Sequence, residues 1–362
     1  MKTPWNSIAE SITTVADKQI LSAAQAMASP CLTCPTTPCC THLPLNTFKV
    51  TNMVELDHAL YLLNFDRIEL GISASGDWSS YYAYPCRLLD RETHRCTVHN
   101  TPEQPRICIH YNPYNCWYQR IFSVGQNQEF VRIDTPRMRF LLQYIELNEQ
   151  RQIVSVPAWD DLVKLMTQFE DQTPEPVSEP NLADDAITRW EQSVLHSGQS
   201  PEPEKTSKTA YDASRDPCVG CEAYCCKTLV FPQAFPQIIA NLDYYRFALG
   251  YPGIELGISD GGWSIVLKTT CRHLDAENRC SIYDQPERPL ICRYYDAWKC
   301  DYKGQYGQTR PAGYLRLRFE HFTWAAESLS FDAEGTIVDL PSTEALRQQI
   351  ESRWRQYAMA DQ

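Results

Sequence analysis

Nowhere in this 362-residue chain do about 18 apolar residues follow one another, the length a membrane-crossing helix requires. A transmembrane helix is therefore excluded. Clusters of Lys and Arg are missing too: 33 basic residues against 45 acidic ones leave a formal net charge of −12. Phosphate contacts need clustered cations, so nucleic acid is excluded as a partner, and an anionic membrane surface is disfavoured for the same reason. No secretory leader is read, because Glu10, Asp17 and Lys18 interrupt the stretch ahead of the small residues around Ala24 to Ala28. Neither half has a glycine-rich nucleotide loop after a strand, and no CxxxCxxC trio occurs. No Ser/His/Asp or Cys/His nucleophile set can be assembled either.

What the chain has in excess is cysteine, 16 residues in two blocks of eight. The first block opens with Cys31, Cys34, Cys39 and Cys40 and continues through Cys86, Cys96, Cys108 and Cys116. The second opens with Cys218, Cys221, Cys225 and Cys226 and continues through Cys271, Cys280, Cys292 and Cys300. The stretch CRLLDRETHRCTVHNTPEQPRICIHYNPYNC returns about 184 residues later as CRHLDAENRCSIYDQPERPLICRYYDAWKC, the mark of a module written twice. Without a leader the expected compartment is the reducing cytoplasm, where disulfides are rare and dense cysteine points to metal. A disulfide framework and buried free thiols are the competing explanations.

The expected fold class is α+β, two tandem cysteine-rich modules, each a small hairpin core with flanking helices. Helical spacing of Ile8, Ile12, Val15, Ile20 and Leu21 predicts an N-terminal helix within residues 1–30. The first module is assigned to 31–170. It has a proline-punctuated cysteine loop, a strand from Thr47 to Thr51 and a helix from Val54 to Phe65. A hairpin follows, Ile68 to Ser73 and Trp78 to Tyr84, mirrored at Ile254 to Thr270. After the cysteines each module adds a strand (at Phe130 and Tyr314) and a helix (Pro136 to Leu147, Glu320 to Ser330). A short strand and a closing helix come last, at Ile153 to Phe169 and Ile337 to Tyr357. Residues 171–217, rich in Pro, Glu, Ser and Thr, read as an acidic linker with a short helix at Ala183 to Leu195. The second module is assigned to 218–357. At about 140 residues apiece, the modules are larger than a metal site alone requires.

Soft thiolates suit zinc, Cu(I) or iron–sulfur centres, and a CxxC pair reaches one ion from a single turn. Adjacent cysteines, Cys39 with Cys40 and Cys225 with Cys226, are expected to point apart. That arrangement fits neighbouring metal centres, a cluster, or one ligand beside a structural thiol. None of the eight histidines recurs between blocks, so a shared ligand set is all cysteine, with His42 a candidate extra ligand or core residue. The polar residues that do recur are Asp90 with Asp275, Arg95 with Arg279, Glu103 with Glu287, and Arg132 with Arg316. They read as cations and turns around a polythiolate site, or as ordinary ion pairs. Pro102 to Pro105 and Pro286 to Pro289 fix a turn that aims Cys108 and Cys292, and Tyr111 and Tyr295 pack beside it.

CVGCEAYCC followed by CRHLDAENRCSIYDQPERPLICRYYDAWKC resembles the YkgJ-like cysteine-cluster family, named for its CxxCxxxCC motif. The first block departs by one extra residue, CLTCPTTPCC. The resemblance implies chelation of zinc or iron, the latter as an ion or an iron–sulfur cluster, by the sixteen cysteines. Flagellin lysine N-methylases carry a related cluster and use S-adenosylmethionine, which gives an enzymatic alternative. Three functions are thus expected to compete: a cytoplasmic metal-binding protein, a protein-modifying enzyme, and a zinc-stiffened interaction scaffold.

Overall fold

The computed structural model describes residues 24, 28–34, 37–99, 101, 103–109, 111–122, 129–172, 218, 220–283, 285–308 and 311–360. The expected N-terminal helix, and the linker with its short helix, lie outside the described residues apart from a few positions at their edges. The first half begins with strand β1 (His42–Phe48), helix α1 (Met53–Leu62) and strands β2 (Ile68–Ser73) and β3 (Trp78–Ala83). Short strands β4 (Leu89–Asp90) and β5 (Arg95–Cys96) and helices α2 (Arg106–Ile109) and α3 (Trp117–Phe122) carry the cysteine-rich stretch. Strand β6 (Phe130–Ile133), helix α4 (Thr135–Leu141), strands β7 (Glu146–Leu147) and β8 (Ile153–Ser155) and helix α5 (Trp159–Gln172) complete it.

The second half runs through β9 (Thr228–Gln233), α6 (Ile239–Leu249), β10 (Ile254–Ser259) and β11 (Gly262–Lys268). Helices α7 (Leu290–Arg293) and α8 (Asp301–Tyr306) follow. Then come β12 (Leu315–Leu317), α9 (Phe319–Ala326), β13 (Ser330–Phe331), β14 (Ile337–Asp339) and α10 (Thr343–Ala360). The architecture is mixed α+β. Each half has a four-stranded antiparallel sheet, ordered β1-β3-β2-β6 and β9-β11-β10-β12.

The hairpins form because apolar residues alternate on both strands and a tight turn joins them. Ile72 opposes Trp78 in one and Ile258 opposes Trp263 in the other. Gly71 and Gly257 leave room for an aromatic side chain crossing the sheet: an added Cβ would lie 1.7 Å from Phe130 Cζ or 2.1 Å from Tyr314 Oη. Asn52 starts α1 by accepting from Val54 N at 3.0 Å and Glu55 N at 3.1 Å.

Three expectations need correcting. The strand expected from Thr47 to Thr51 starts earlier, at His42, and ends at Phe48. Pro44 lies within it, tolerated because β1 is an edge strand whose register shifts between Pro44 and Asn46. The helices expected to reach Leu147 and Ser330 stop at Leu141 and Ala326, because Glu146 pairs with Ser155 and Ser330 with Asp339. The first cysteine cluster is not plain loop. It holds two 3-10 turns, Pro30–Thr33 and Pro38–Cys40, and the second cluster holds one, Tyr224–Cys226.

One hydrophobic cluster joins the halves: Leu56, Leu62 and Leu63 on one side share it with Leu242, Ala248 and Leu249 on the other. The contact is reciprocal. Arg87 N donates to Gly250 O at 2.8 Å, and Arg272 N donates to Asn64 O at 2.8 Å. Asp66 N bonds Thr270 O at 2.9 Å, and Phe65 bridges to Cys271. Each half thereby pins the other's backbone immediately after a cysteine, Cys86 or Cys271.

Candidate metal centres

In both clusters a residue in the left-handed region, Thr37 (φ 37°) or Ala223 (φ 56°), turns the chain into the 3-10 turn carrying the vicinal cysteines. Cys34 N bonds Cys31 O at 3.4 Å, and Cys221 N bonds Cys218 O at 3.1 Å, so each CxxC closes on itself. The next cysteine is joined directly to the vicinal pair: Cys86 N donates to Cys40 O at 2.7 Å and Cys271 N to Cys226 O at 2.8 Å.

Short helices deliver four of the remaining thiols, whereas Cys96 lies on β5 and Cys280 in a β-bridge with Leu274. Cys108 N bonds Pro105 O and Cys292 N bonds Pro289 O, both at 3.0 Å, as expected for a turn that aims these two cysteines. Cys116 and Cys300 head α3 and α8, their sulfurs accepting from Gln119 N at 3.2 Å and Lys303 N at 3.4 Å. Sequence reasoning missed these helices, which span six residues each.

No disulfide links any of the sixteen cysteines. The vicinal side chains do not diverge as expected. Cys39 Sγ and Cys40 Sγ lie 4.0 Å apart in a thiol–thiol contact, which the 3-10 backbone permits and a regular helix or strand would not favour. The contact divides the pair chemically. Hydrogen bonding from Cys40 holds Cys39 below the usual thiol range, whereas Cys40 is pushed far up by that bond, by burial and by the charges of Cys39, Cys86 and Cys108. In the second half Cys225 is lowered to about 7 and Cys226 raised by the same contact.

The electrostatic neighbours of each thiol define its group. Burial raises Cys31, and Cys39, Cys116 and Cys34 raise it further. Burial lifts Cys86 to about 11, with Cys96 and Cys39 adding to it, and lifts Cys108 above the usual range, with Cys86, Cys39 and Cys96 adding. Cys96 is raised by burial and then by Cys39. Burial takes Cys292 to about 12, and Cys225, Cys271 and Cys280 contribute. Cys271 is raised by burial and by Cys280. In the first block these influences link all eight cysteines, and in the second they link Cys225, Cys226, Cys271, Cys280 and Cys292. Among the described residues, no three or more His, Cys, Asp or Glu side chains are drawn together into a ready ligating set. The donor chemistry, soft thiols with no disulfide among them, fits a soft metal.

His42 is a core residue. Its ring stacks on Phe122 at 4.0 Å, Nδ1 lies 2.9 Å from Thr41 Oγ1, and burial depresses it to about 4. Arg132 and Arg316 pair with Glu69 and Glu255 across the sheets, which favours the ion-pair reading of these recurring residues. Asp90 and Asp275 are turn residues, accepting from Thr93 N at 3.0 Å and Arg279 N at 2.7 Å. Tyr111 packs by the cluster, as expected, its hydroxyl accepting from Tyr118 N at 3.2 Å.

Three contributions were not foreseen. Tyr251 reaches from the second half to donate to Cys39 O at 2.8 Å. Arg288 sits by the second cluster, bonding Cys292 O at 2.8 Å and favouring the Cys225 thiolate. It was passed over because Gln104 stands in its place in the first half. Asp57 and Asp243 bond the backbone ahead of Cys292 and Cys108. They follow a leucine at matching positions of α1 and α6, so extending the repeat comparison into the helices would have found them.

Residues 217–312 match the family described as CxxCxxCC: Putative zinc- or iron-chelating domain. Neither a curated protein nor a solved structure matches the chain. Among the described residues no helix is long and apolar enough to cross a membrane.

Proposed function

We propose that this chain is a metal-binding protein holding zinc or an iron–sulfur centre through cysteine thiolates in each of two repeated modules, 31–170 and 218–357, in the reducing cytoplasm. The observation that carries the reading is a set of eight unbridged cysteines in each half that includes a vicinal pair whose first member is lowered and second raised. Thiolates are the ligands of soft metals, and a buried group of them needs a cation to offset its charge. The family match over the second half supports the same chemistry there. For the first half, the support is the matching strand order of the four-stranded sheet and the matching order of cysteines along the chain.

The test is a metal and acid-labile sulfide assay on anaerobically purified protein, with an absorption spectrum of the same sample. Iron with sulfide is expected for a cluster protein; stoichiometric zinc without colour makes the centres structural. Protein that holds neither metal, and whose Cys225→Ser and Cys292→Ser variants fold unchanged, rules the reading out.

A second reading, a zinc-stiffened interaction scaffold, is favoured by the surface beside the second cluster. Tyr294 is 83% exposed, Trp298 65% and Ile291 45%, an apolar group on the stretch that carries Cys292 and Cys300.

A further inference from the structure

Hydrogen bonds from the opposite half reach the backbone at or beside five of the cysteines. Helix α2 has four residues, too few to be stable alone. Its first N–H groups have no partner within the helix. They find one in Asp243 of α6: Oδ1 accepts from Arg106 N at 3.0 Å and Oδ2 from Ile107 N at 2.7 Å. Cys108 is the next residue. Asp243 is 4% exposed, and both bonds are partly buried. The second half shows the mirror arrangement. Asp57 of α1 accepts from Leu290 N, the first residue of α7, at 2.7 Å, and Cys292 follows two residues on.

The same crossing recurs at other thiols. Gly250, at the end of α6, accepts from the residue after Cys86, and Tyr251 bonds the carbonyl of Cys39. Asn64, past the end of α1, accepts from the residue after Cys271. Three first-half cysteines and two second-half cysteines thus take their backbone position from a helix of the other half or its end. None of these bonds joins a cysteine to a helix α1 or α6 of its own half.

We propose that each metal centre is a composite of both halves, with Asp243 the positioning residue for Cys108 in the first centre and Asp57 the positioning residue for Cys292 in the second. The proposal rests on the metal-binding reading above for its ligand, and on geometry alone for its crossed pattern. A carboxylate at the start of a short helix fixes the helix axis, and the axis fixes where the thiol one turn along points. Partners that orient a ligand in this way typically change metal affinity by roughly 10–100-fold when removed.

The experiment uses the full chain and Zn²⁺ alone, with affinity read by competition against a chromophoric chelator. One background, Cys225→Ser with Cys292→Ser, silences the second centre; the other, Cys39→Ser with Cys108→Ser, silences the first. In the first background, Asp243→Ala is expected to weaken zinc binding roughly 10–100-fold and Asp57→Ala to change it less than about twofold. In the second background the two outcomes exchange. Asp243→Asn and Asp57→Asn, which keep one acceptor oxygen and the side-chain shape, give intermediate losses and replace any alanine variant that fails to fold by circular dichroism. Losses that follow the aspartate's own half, or that appear in neither background, overturn the proposal.

Metal-free protein supplies a second readout that separates this failure from failure of the metal reading. Asp243→Ala is expected to speed iodoacetamide labelling of Cys108 several-fold and leave Cys292 unchanged, and Asp57→Ala to do the reverse. If the unmutated chain holds no metal but this crossed labelling appears, the metal reading falls and the crossed positioning stands. Labelling that is equal at both cysteines, or confined to the aspartate's own half, overturns the positioning.

Discussion

Opposite Glu69 on the first sheet stands Tyr81; opposite Glu255 on the second stands Val266. At the ends of these strands Ala83 gives way to Lys268, and Phe122 and Phe130 give way to Tyr306 and Tyr314. The consequence is two different walls beside otherwise matching cysteine clusters. In the first half Tyr81 packs edge to face on Phe122 and Phe130, Tyr118 stacks on Phe122, and Glu69 with Arg132 lies at the rim, the two side chains 23% and 42% exposed. In the second half Glu255 is 1% exposed and meets Arg318 Nε at 3.2 Å and Arg316 Nη1 at 3.6 Å. Lys268 Nζ lies over the Tyr306 ring at 4.2 Å, and the Tyr306 and Tyr314 hydroxyls bond at 3.0 Å. One sheet order thus accommodates an apolar wall or an ionic one, because what the fold requires there is filled volume and satisfied charge, not a particular chemistry.

The largest expected break in this comparison comes from the matched glutamates. Glu255→Ala leaves Arg316, Arg318 and Lys268 in a half-buried site without their anion, and removal of one partner from a buried pair costs about 3–5 kcal/mol. Glu69→Ala removes a rim pair worth about 0–1 kcal/mol. Urea unfolding of the two variants measures the contrast. Equal losses would mean that Glu255 is no more committed to its partners than Glu69.

How much of this could be read from the chain depends on how local the cause is. The hairpins Ile68–Ser73 with Trp78–Ala83, and Ile254–Ser259 with Gly262–Lys268, follow from alternation and a turn, and the expected limits agree within a residue or two. The eight-cysteine blocks were plain from spacing. What the sequence could not supply is anything set by a partner far along the chain. The crossing of Asp57 and Asp243 joins residues more than a hundred positions apart. The start of β1 was hidden by Pro44, which argues against a strand unless the strand is known to be an edge. Helices α3 and α8 were hidden because a cysteine caps each, and cysteine is not a usual capping residue. The thiol–thiol contact of Cys39 and Cys40 depends on a single left-handed residue, Thr37, for which no glycine gave warning.

A smaller effect, of the second wall alone, is pH dependence. Burial lowers Lys268 to about 8, with Glu255 opposing that shift. The folded-state value is thus below the unfolded one, so between about pH 8 and 10 the unfolded chain holds a proton that the folded chain has released. Stability contributed by this site therefore rises with pH across that window and is least below it. Lys268→Met should abolish the rise. Its stability advantage over the parent is expected to shrink by roughly 1–2 kcal/mol as pH goes from 8 to 10, by chemical unfolding at each pH. A pH-independent difference would show that Lys268 titrates as an exposed lysine does.

The smallest effect sharpens the comparison by converting one wall toward the other. Tyr314→Phe places at the second sheet the residue that Phe130 supplies at the first, but it leaves the Tyr306 hydroxyl without its 3.0 Å partner in a buried site. An unsatisfied buried hydroxyl costs about 1–3 kcal/mol, whereas removing both members of such a pair is nearly neutral. Tyr314→Phe alone is therefore expected to destabilise by about 1 kcal/mol, and Tyr306→Phe with Tyr314→Phe to recover most of that loss. The double-mutant cycle is measured by urea unfolding. Additive losses would mean that the two hydroxyls act separately and that the second wall is not one cooperative unit.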